Sequence, residues 1–159
     1  DAPLAGAVTQ VVEEIRAASP DHQITLDMAI DRPVSCDAQR VAQAVSNLLS
    51  NAVRHGTQGA RVHVHGGLDD RGVVISVTNE GPPVPAELQN ELFHPFRRGT
   101  HAAGEGLGLG LYIASSIATA HNGCIEVTCE GGTTTFSFRL PLLTSVVPAN
   151  RTQEIWKAG

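Results

Sequence analysis

Two asparagines four residues apart, Asn47 and Asn51, sit inside the apolar-rich run QAVSNLLSNAVRHG, residues 43–56. In a helix, side chains four apart share a face, so both carboxamides point one way, with Arg54 and His55 a turn further on. Asparagine is a mediocre helix former, so two on one face need a reason. One reading makes them decoration on the outer face of an amphipathic helix. The other makes them hard oxygen ligands for Mg²⁺, an ion that keeps its remaining positions for water and phosphate oxygens. Neutral carboxamides suit a site whose negative charge arrives with a phosphorylated ligand.

A second stretch points to the same chemistry. GEGLGLG, residues 104–110, opens a helix pattern. Gly104, Gly106 and Gly108 let a backbone approach an anion closely. The N–H groups of Leu107, Gly108 and Leu109 at a helix start would then face phosphates, helped by the helix dipole. Flexible glycines in a plain loop are the alternative. A dinucleotide-binding fingerprint should follow a strand directly, whereas a polar, arginine-bearing loop precedes this one. A phosphate-binding P-loop would close on a Lys-Ser or Lys-Thr pair, which is missing. NEGPPVP, residues 79–85, reads either as a stiff turn or as a turn that sets Asn79 in a pocket wall, where a carboxamide can pair with a base edge.

The elements that must position these residues follow from periodicity. Leu4, Val8, Val11, Val12 and Ile15 have helical spacing over residues 4–18. HQITLDM alternates Ile24, Leu26 and Met28 as a strand does. Asp37 is placed to cap a long helix running to about His55, with Val45, Leu48, Leu49 and Ala52 toward a sheet, and Gly56 and Gly59 breaking it. RVHVHGGLDDRGVVISVTN reads as a hairpin. EGPPVP is a rigid loop, AELQNELF a short helix, and RRGTHAAGEG a polar, Gly-rich stretch. LGLYIASSIATAHNG reads as a buried helix stopped by Asn122 and Gly123. CIEVTCEGGTTTFSFRLPL is a last hairpin about a Gly-Gly turn, with Thr134, Phe136 and Phe138 alternating. This order predicts an α+β chain: a two-layer α/β sandwich with mostly antiparallel strands and helices on one face. The expected domain is residues 1–143, followed by a tail, 144–159, in which periodicity is lost.

The totals set outer limits. The chain has 159 residues, length for one domain with a real core. A net charge of -5 argues against a nucleic-acid surface. Cys36, Cys124 and Cys129 make no CxxC pair, so they read as thiols in a reducing cytosol rather than a disulfide framework or zinc site. No stretch is long and apolar enough to span a bilayer, so no direct membrane contact is expected. The opening DAPLAGAV lacks a methionine, which suggests a piece of a longer protein. His63, His65, His94 and His101 follow no metal-ligand spacing.

Taken in order, NLLSNAVRHG, NEGPPVP, LFHPFRRG and GEGLGLGLYIASSIATAHNG resemble the N, G1, F and G2 boxes of the ATP-binding catalytic domain of bacterial sensor histidine kinases. The resemblance runs from about residue 4 to 142 and implies the GHKL ATPase fold, with a mixed, mostly antiparallel sheet. It implies ATP and Mg²⁺ as cofactors. By position, Asn51 resembles the magnesium ligand, with Asn47 beside it on phosphate or metal. Arg54 stands where the family usually has a lysine reaching the phosphates, and His55 where a tyrosine often lines the nucleotide. Gly81 belongs to the G1 turn. Phe93 and Phe96 resemble the anchors of an ATP lid. Arg98 resembles the arginine that reaches the γ-phosphate. Thr134 resembles a strand hydroxyl near adenine. Plain core or solvated-surface roles stay open for the phenylalanines and for Arg97 and Arg98.

Two positions depart from the family pattern. Asn79 replaces an aspartate that accepts the adenine amino group. Its oxygen can still accept, but a charge-assisted bond is roughly twice as strong, so weaker affinity is expected. Pro83 replaces the second glycine of the G1 box. A third position bears on the chemistry: ATP-hydrolysing relatives place a glutamate at position 47 to activate water, and asparagine cannot act as a base. Slow hydrolysis is therefore expected. Phosphoryl transfer needs mainly positioning and charge neutralisation. The resemblance implies a nucleophilic histidine on a separate dimerisation and phosphotransfer domain, a response regulator downstream, and a cytoplasmic site in a parent that can be membrane-anchored. None of the seven histidines has the acceptor's sequence context. The rival readings are a serine kinase similar to anti-sigma factors, a non-catalytic nucleotide-binding regulatory module, and a hydrolase, which Asn47 disfavours.

Overall fold

The computed structural model describes residues 3–95 and 109–142. Its elements, in chain order, are α1 (Leu4–Ala18), β1 (Gln23–Met28), α2 (Ala38–His55), β2 (Arg61–Asp69), β3 (Gly72–Glu80), α3 (Ala86–Gln89), α4 (Gly110–Ala120), β4 (Cys124–Glu130) and β5 (Thr133–Leu140). The strands form one sheet in the order β1-β2-β3-β5-β4. β1 runs parallel to β2, because α2 carries the chain over from one to the other, and every other pairing is antiparallel.

Alternation in the strands sets one face of the sheet against the helices. Val62 and Val64 of β2, Val73, Ile75 and Val77 of β3, and Phe136, Phe138 and Leu140 of β5 are all buried. α1 contributes Leu4, Val8 and Val12, with Ile15 partly buried against the same core. Arg16 ties α1 to β1 by donating through Nε and Nη2 to the Ile24 carbonyl at 3.1 and 3.0 Å.

α2 is the central helix, lying between α1 and α4 and over β2 and β3. Its buried arc is consequently wider than the sheet-facing stripe read from sequence. Val45, Leu48, Leu49 and Ala52 are fully buried, and Ala38, Val41, Ala42 and Ala44 join them. Asp37 caps the helix, its Oδ1 accepting from the Arg40 N–H at 3.1 Å. Asp37→Ala is expected to lower stability by about 1 kcal/mol, read as a shift of the urea midpoint.

α3 is a single turn, shorter than the expected AELQNELF helix. None of its residues is buried and no side chain caps it, so nothing offsets the cost of extending so short a helix. α4 buries only Ala114, Ile117 and Ala118, leaving Tyr112 exposed, so it is buried on one side only. It ends as expected. Asn122 takes the left-handed conformation at φ 58°, and the Gly123 N–H reaches back to the Ala118 carbonyl at 2.8 Å.

The far face of the sheet is polar. Thr25 pairs with His63 at 2.7 Å, Ser76 with Ser137 at 3.1 Å, and Thr78 with Thr135 at 2.8 Å. Arg139 bridges Asp69 and Glu126 at 2.7 and 2.8 Å, and Arg71 joins Glu126 at 2.8 Å. Hydrogen bonds from these guanidinium groups hold both carboxyls below their ordinary pKa values. A depressed carboxylate pKa stabilises the fold above the unfolded value, and that contribution is lost as pH falls through the folded one. This ladder is therefore expected to loosen only in acid, below about pH 4, seen as acid-induced loss in a pH series of urea melts.

Candidate functional site

One end of the site forms where α2 meets α4. Asn47 is only partly exposed, and its Nδ2 is buried with no hydrogen-bond partner among the described residues. A buried N–H left unpaired costs about 1–3 kcal/mol, so such a group calls for an explanation. Gly110, the first residue of α4, lies against it: a Cβ there would stand 3.8 Å from the Asn47 Cβ and 3.9 Å from its Oδ1. The first asparagine of α2 and the helix start that follows the glycine stretch are thus neighbours. Leu109 caps α4 through its backbone, its carbonyl accepting from the Ile113 N–H at 2.8 Å. Asn51 follows one turn along α2, half-exposed. Arg54 and His55 are exposed in the last turn. Desolvation of its ring first, and the Arg54 charge second, hold the His55 pKa below the ordinary imidazole value. Near neutral pH, His55 therefore offers a neutral ring and Arg54 the cation.

The other end forms where β3, β4 and β5 terminate beside the C-terminus of α2. Asn79 and Thr134 face each other across β3 and β5, both buried. Cys129 faces Thr134 from β4, with Sγ 3.6 Å from the hydroxyl. Gln89 of α3 donates to the Val84 carbonyl at 3.1 Å and stands 3.8 Å from the same sulfur. The corner is stapled by backbone: the Thr57 N–H donates to the Glu80 carbonyl at 2.8 Å, and the Gly81 N–H to the Gly132 carbonyl at 3.1 Å. Gly56 suits this close approach, since a Cβ there would stand 3.3 Å from the Glu80 carbonyl of β3, besides meeting the Ala52 carbonyl of its own helix at 2.6 Å. Phe93 packs edge-on against Phe136, with centroids 6.3 Å apart.

The structure thus sets Asn47 against Gly110, the residue after Leu109, and groups Asn79 with Gly81 and Thr134, while α2 joins the two ends through Asn51, Arg54 and His55. Arg98, Gly104, Gly106, Leu107 and Gly108, like Phe96 and Arg97, lie outside the described residues. The sequence reading missed Cys129 and Gln89. The Gly131-Gly132 turn, with φ 57° and 80°, is a two-residue hairpin loop that fixes the register. Counting back from it places Cys129 opposite Thr134.

A family model described as histidine kinase-, DNA gyrase B- and HSP90-like ATPase matches residues 36–144. The chain belongs to this ATPase family. Several of the proteins it resembles are named sensor histidine kinases. It is 42% identical over 136 residues to a probable sensor histidine kinase, TcrY, of Mycobacterium tuberculosis, covering 82% of this chain and 28% of that one. It is 38% identical over 147 residues to the bacteriophytochrome of Pseudomonas aeruginosa, covering 89% of this chain and 20% of that one. A solved mycobacterial sensor histidine kinase, MprB, superposes with a TM-score of 0.76 at 26% identity, covering 86% of this chain and 93% of that chain. The ATPase domain therefore spans under a third of these two curated relatives, and its fold is that of histidine kinase ATP-binding catalytic domains.

The residues present fit a nucleotide. Asn79 and Thr134 are buried with long, weak partners, at 3.4 Å for the Asn79 Nδ2 and 3.6 Å for the threonine hydroxyl. Both retain capacity for a ligand's nitrogens and oxygens, as does the Asn47 Nδ2. Among the described residues, no group of three or more His, Cys, Asp or Glu side chains could hold a metal ion. A hard cation at Asn51 would draw most of its oxygens from a phosphate ligand and water. No helix among the described residues is long and apolar enough to cross a membrane.

Proposed function

We propose that this ATPase domain binds Mg·ATP along α2 and presents its γ-phosphoryl group to a histidine on a separate dimerisation domain. The observation that carries this reading is the orphaned Asn47 amide against the start of α4, about two turns along α2 from the C-terminal end where the buried Asn79–Thr134 pair lies. Polar groups with spare bonding capacity beside the middle of one helix and beside its C-terminus suit a ligand with a base at one end and phosphates at the other.

In this reading Asn79 accepts from the base and Thr134 bonds beside it, while Gly81 lets the turn close over it. His55 lines the nucleotide. Arg54 and Arg98 reach the phosphates, Arg98 the γ-phosphate. Gly104, Gly106 and Gly108 let the chain close around them, and the N–H groups of Leu107, Gly108 and Leu109 donate to them. Asn47 donates through Nδ2 to a phosphate oxygen, and Asn51 supplies an oxygen to Mg²⁺. The metal, when bound, neutralises charge on the transferring group. Asn47 cannot take a proton from water, so the domain positions ATP for transfer rather than hydrolysing it quickly. The expected partners are the phosphotransfer domain of the parent kinase and a response regulator, in the cytoplasm, with the catalytic unit ending near residue 143.

Calorimetric titration with ATP, with and without Mg²⁺, tests the reading directly. Binding that needs Mg²⁺ supports it, and no binding in any condition refutes it. A thiol probe gives a second test. ATP should slow alkylation of Cys129 by N-ethylmaleimide about tenfold or more while leaving the exposed Cys124 unchanged. Equal protection of both cysteines, or of neither, would place the ligand elsewhere. With γ-labelled ATP, no label should appear on the isolated domain.

A further inference from the structure

Among the described residues, Asn79 and Thr134 are the only polar or charged side chains that are buried, at 6% and 4% exposure. Both are neutral and both are two-sided. A carboxamide carries an acceptor oxygen and a donor nitrogen, and a hydroxyl donates or accepts by rotating. A carboxylate at position 79 could only accept.

The orientation of the Asn79 amide rests on one weak contact. Its Nδ2 donates to the Glu80 carbonyl at 3.4 Å, near the limit for such a bond. That carbonyl already receives the Thr57 N–H at 2.8 Å. The terminal torsion of asparagine is broad and roughly two-fold, so the amide can turn over at little cost in torsion. Gly56 sets no side chain against the amide; a Cβ there would stand in van der Waals contact with the Asn79 Nδ2, at 3.4 Å. With Oδ1 outward the amide accepts from a 6-amino group. With Nδ2 outward it donates to a 6-oxo group.

We infer that this pocket does not read position 6 of a purine by charge, and that the domain accepts 6-oxopurine nucleoside triphosphates beside ATP. The inference rests on the nucleotide reading above and specifies its substrate class. Glu80, through its main-chain carbonyl, favours the Oδ1-outward orientation and so the 6-aminopurine, because turning the amide over gives up the 3.4 Å bond and sets Oδ1 toward the carbonyl oxygen. Thr134 adapts to either base by rotating its hydroxyl.

The test is calorimetry with ATP and with inosine 5′-triphosphate, both with Mg²⁺, on the wild-type domain and on Asn79→Asp. Inosine carries the 6-oxo group without guanine's 2-amino group. The wild type should bind inosine triphosphate within about tenfold of ATP, the cost of one weak neutral hydrogen bond. Asn79→Asp should tighten ATP by about tenfold through a charge-assisted bond, and weaken inosine triphosphate by about a hundredfold or more, since a buried acceptor then faces an acceptor. Circular dichroism checks that the variant folds; if it does not, the wild-type ratio alone decides. Wild type that binds ATP but rejects inosine triphosphate by a hundredfold overturns the inference and leaves the ATP reading standing. An equal ratio in the wild type and a folded Asn79→Asp also overturns it, by removing Asn79 from base selection. If the wild type binds neither nucleotide, the ATP reading falls and the inference with it.

Discussion

Asn47→Ala is expected to make the domain more stable and to weaken ATP binding in the same step. The buried Nδ2 has no partner among the described residues, so removing it relieves a desolvation penalty of about 1–3 kcal/mol. Alanine is also the better helix residue, by up to about 0.7 kcal/mol. The space left behind offsets part of this, and a net gain of about 1 kcal/mol in urea denaturation is the expected result. A hydrogen bond to a charged phosphate is worth about 1.5–3 kcal/mol, so affinity should fall roughly ten- to a hundredfold. Opposite signs in the two measurements are the mark of a group retained for a ligand at the fold's expense. If stability falls with affinity unchanged, Asn47 is a packing residue and the phosphate end of the site lies elsewhere. Asn51→Ala gives the comparison. Its side chain is half-exposed, so stability should move by less than about 0.7 kcal/mol, while the gain in affinity from Mg²⁺ should disappear.

Phe136→Ala should be the most destabilising of these changes. Phe136 is 2% exposed on the core side of β5 and carries the edge-on contact with Phe93, at 88° between planes. Truncating a buried phenylalanine costs about 3–5 kcal/mol. Domains of this size have only about 5–15 kcal/mol in total, so the variant should be marginal at 37 °C. Phe93→Ala is different, because Phe93 is only partly buried at the edge of the core. It should cost about 1–2 kcal/mol, mostly the ring–ring contact and some lost area. In the double variant the two losses should fall short of their sum by about 0.5–1.5 kcal/mol, the coupling of the pair. Full additivity would mean that Phe93 does not use Phe136 as its seat, which would remove the basis for treating Phe93 as an anchor of the following segment.

By itself the sequence determined much of the local structure and marked which residue types could do chemistry. The bounds of α1 and α2, the Asp37 cap and the Asn122 stop followed from spacing and capping, which act within a few residues. The buried alternation of Thr134, Phe136 and Phe138 followed from the two-residue period of a strand. Asn47 and Asn51 were legible because two poor helix formers on one face conflict with a helix's local preference, and such conflicts mark sites. Tertiary structure alone decided three things. It set β5 rather than β4 beside β3, because hairpin signals fix neighbours within a hairpin and not which edge docks on another. It made α2 central and widened its buried arc, since α4 covers a flank that periodicity cannot assign to any partner. It also gave Asn79 its environment. Burial beside Thr134 and the approach of Gly56 to its amide come from segments far apart in the chain, and they leave it a single 3.4 Å bond to the neighbouring Glu80 carbonyl. A residue's type reports what it can bond; only packing decides which of its bonds are left unmade.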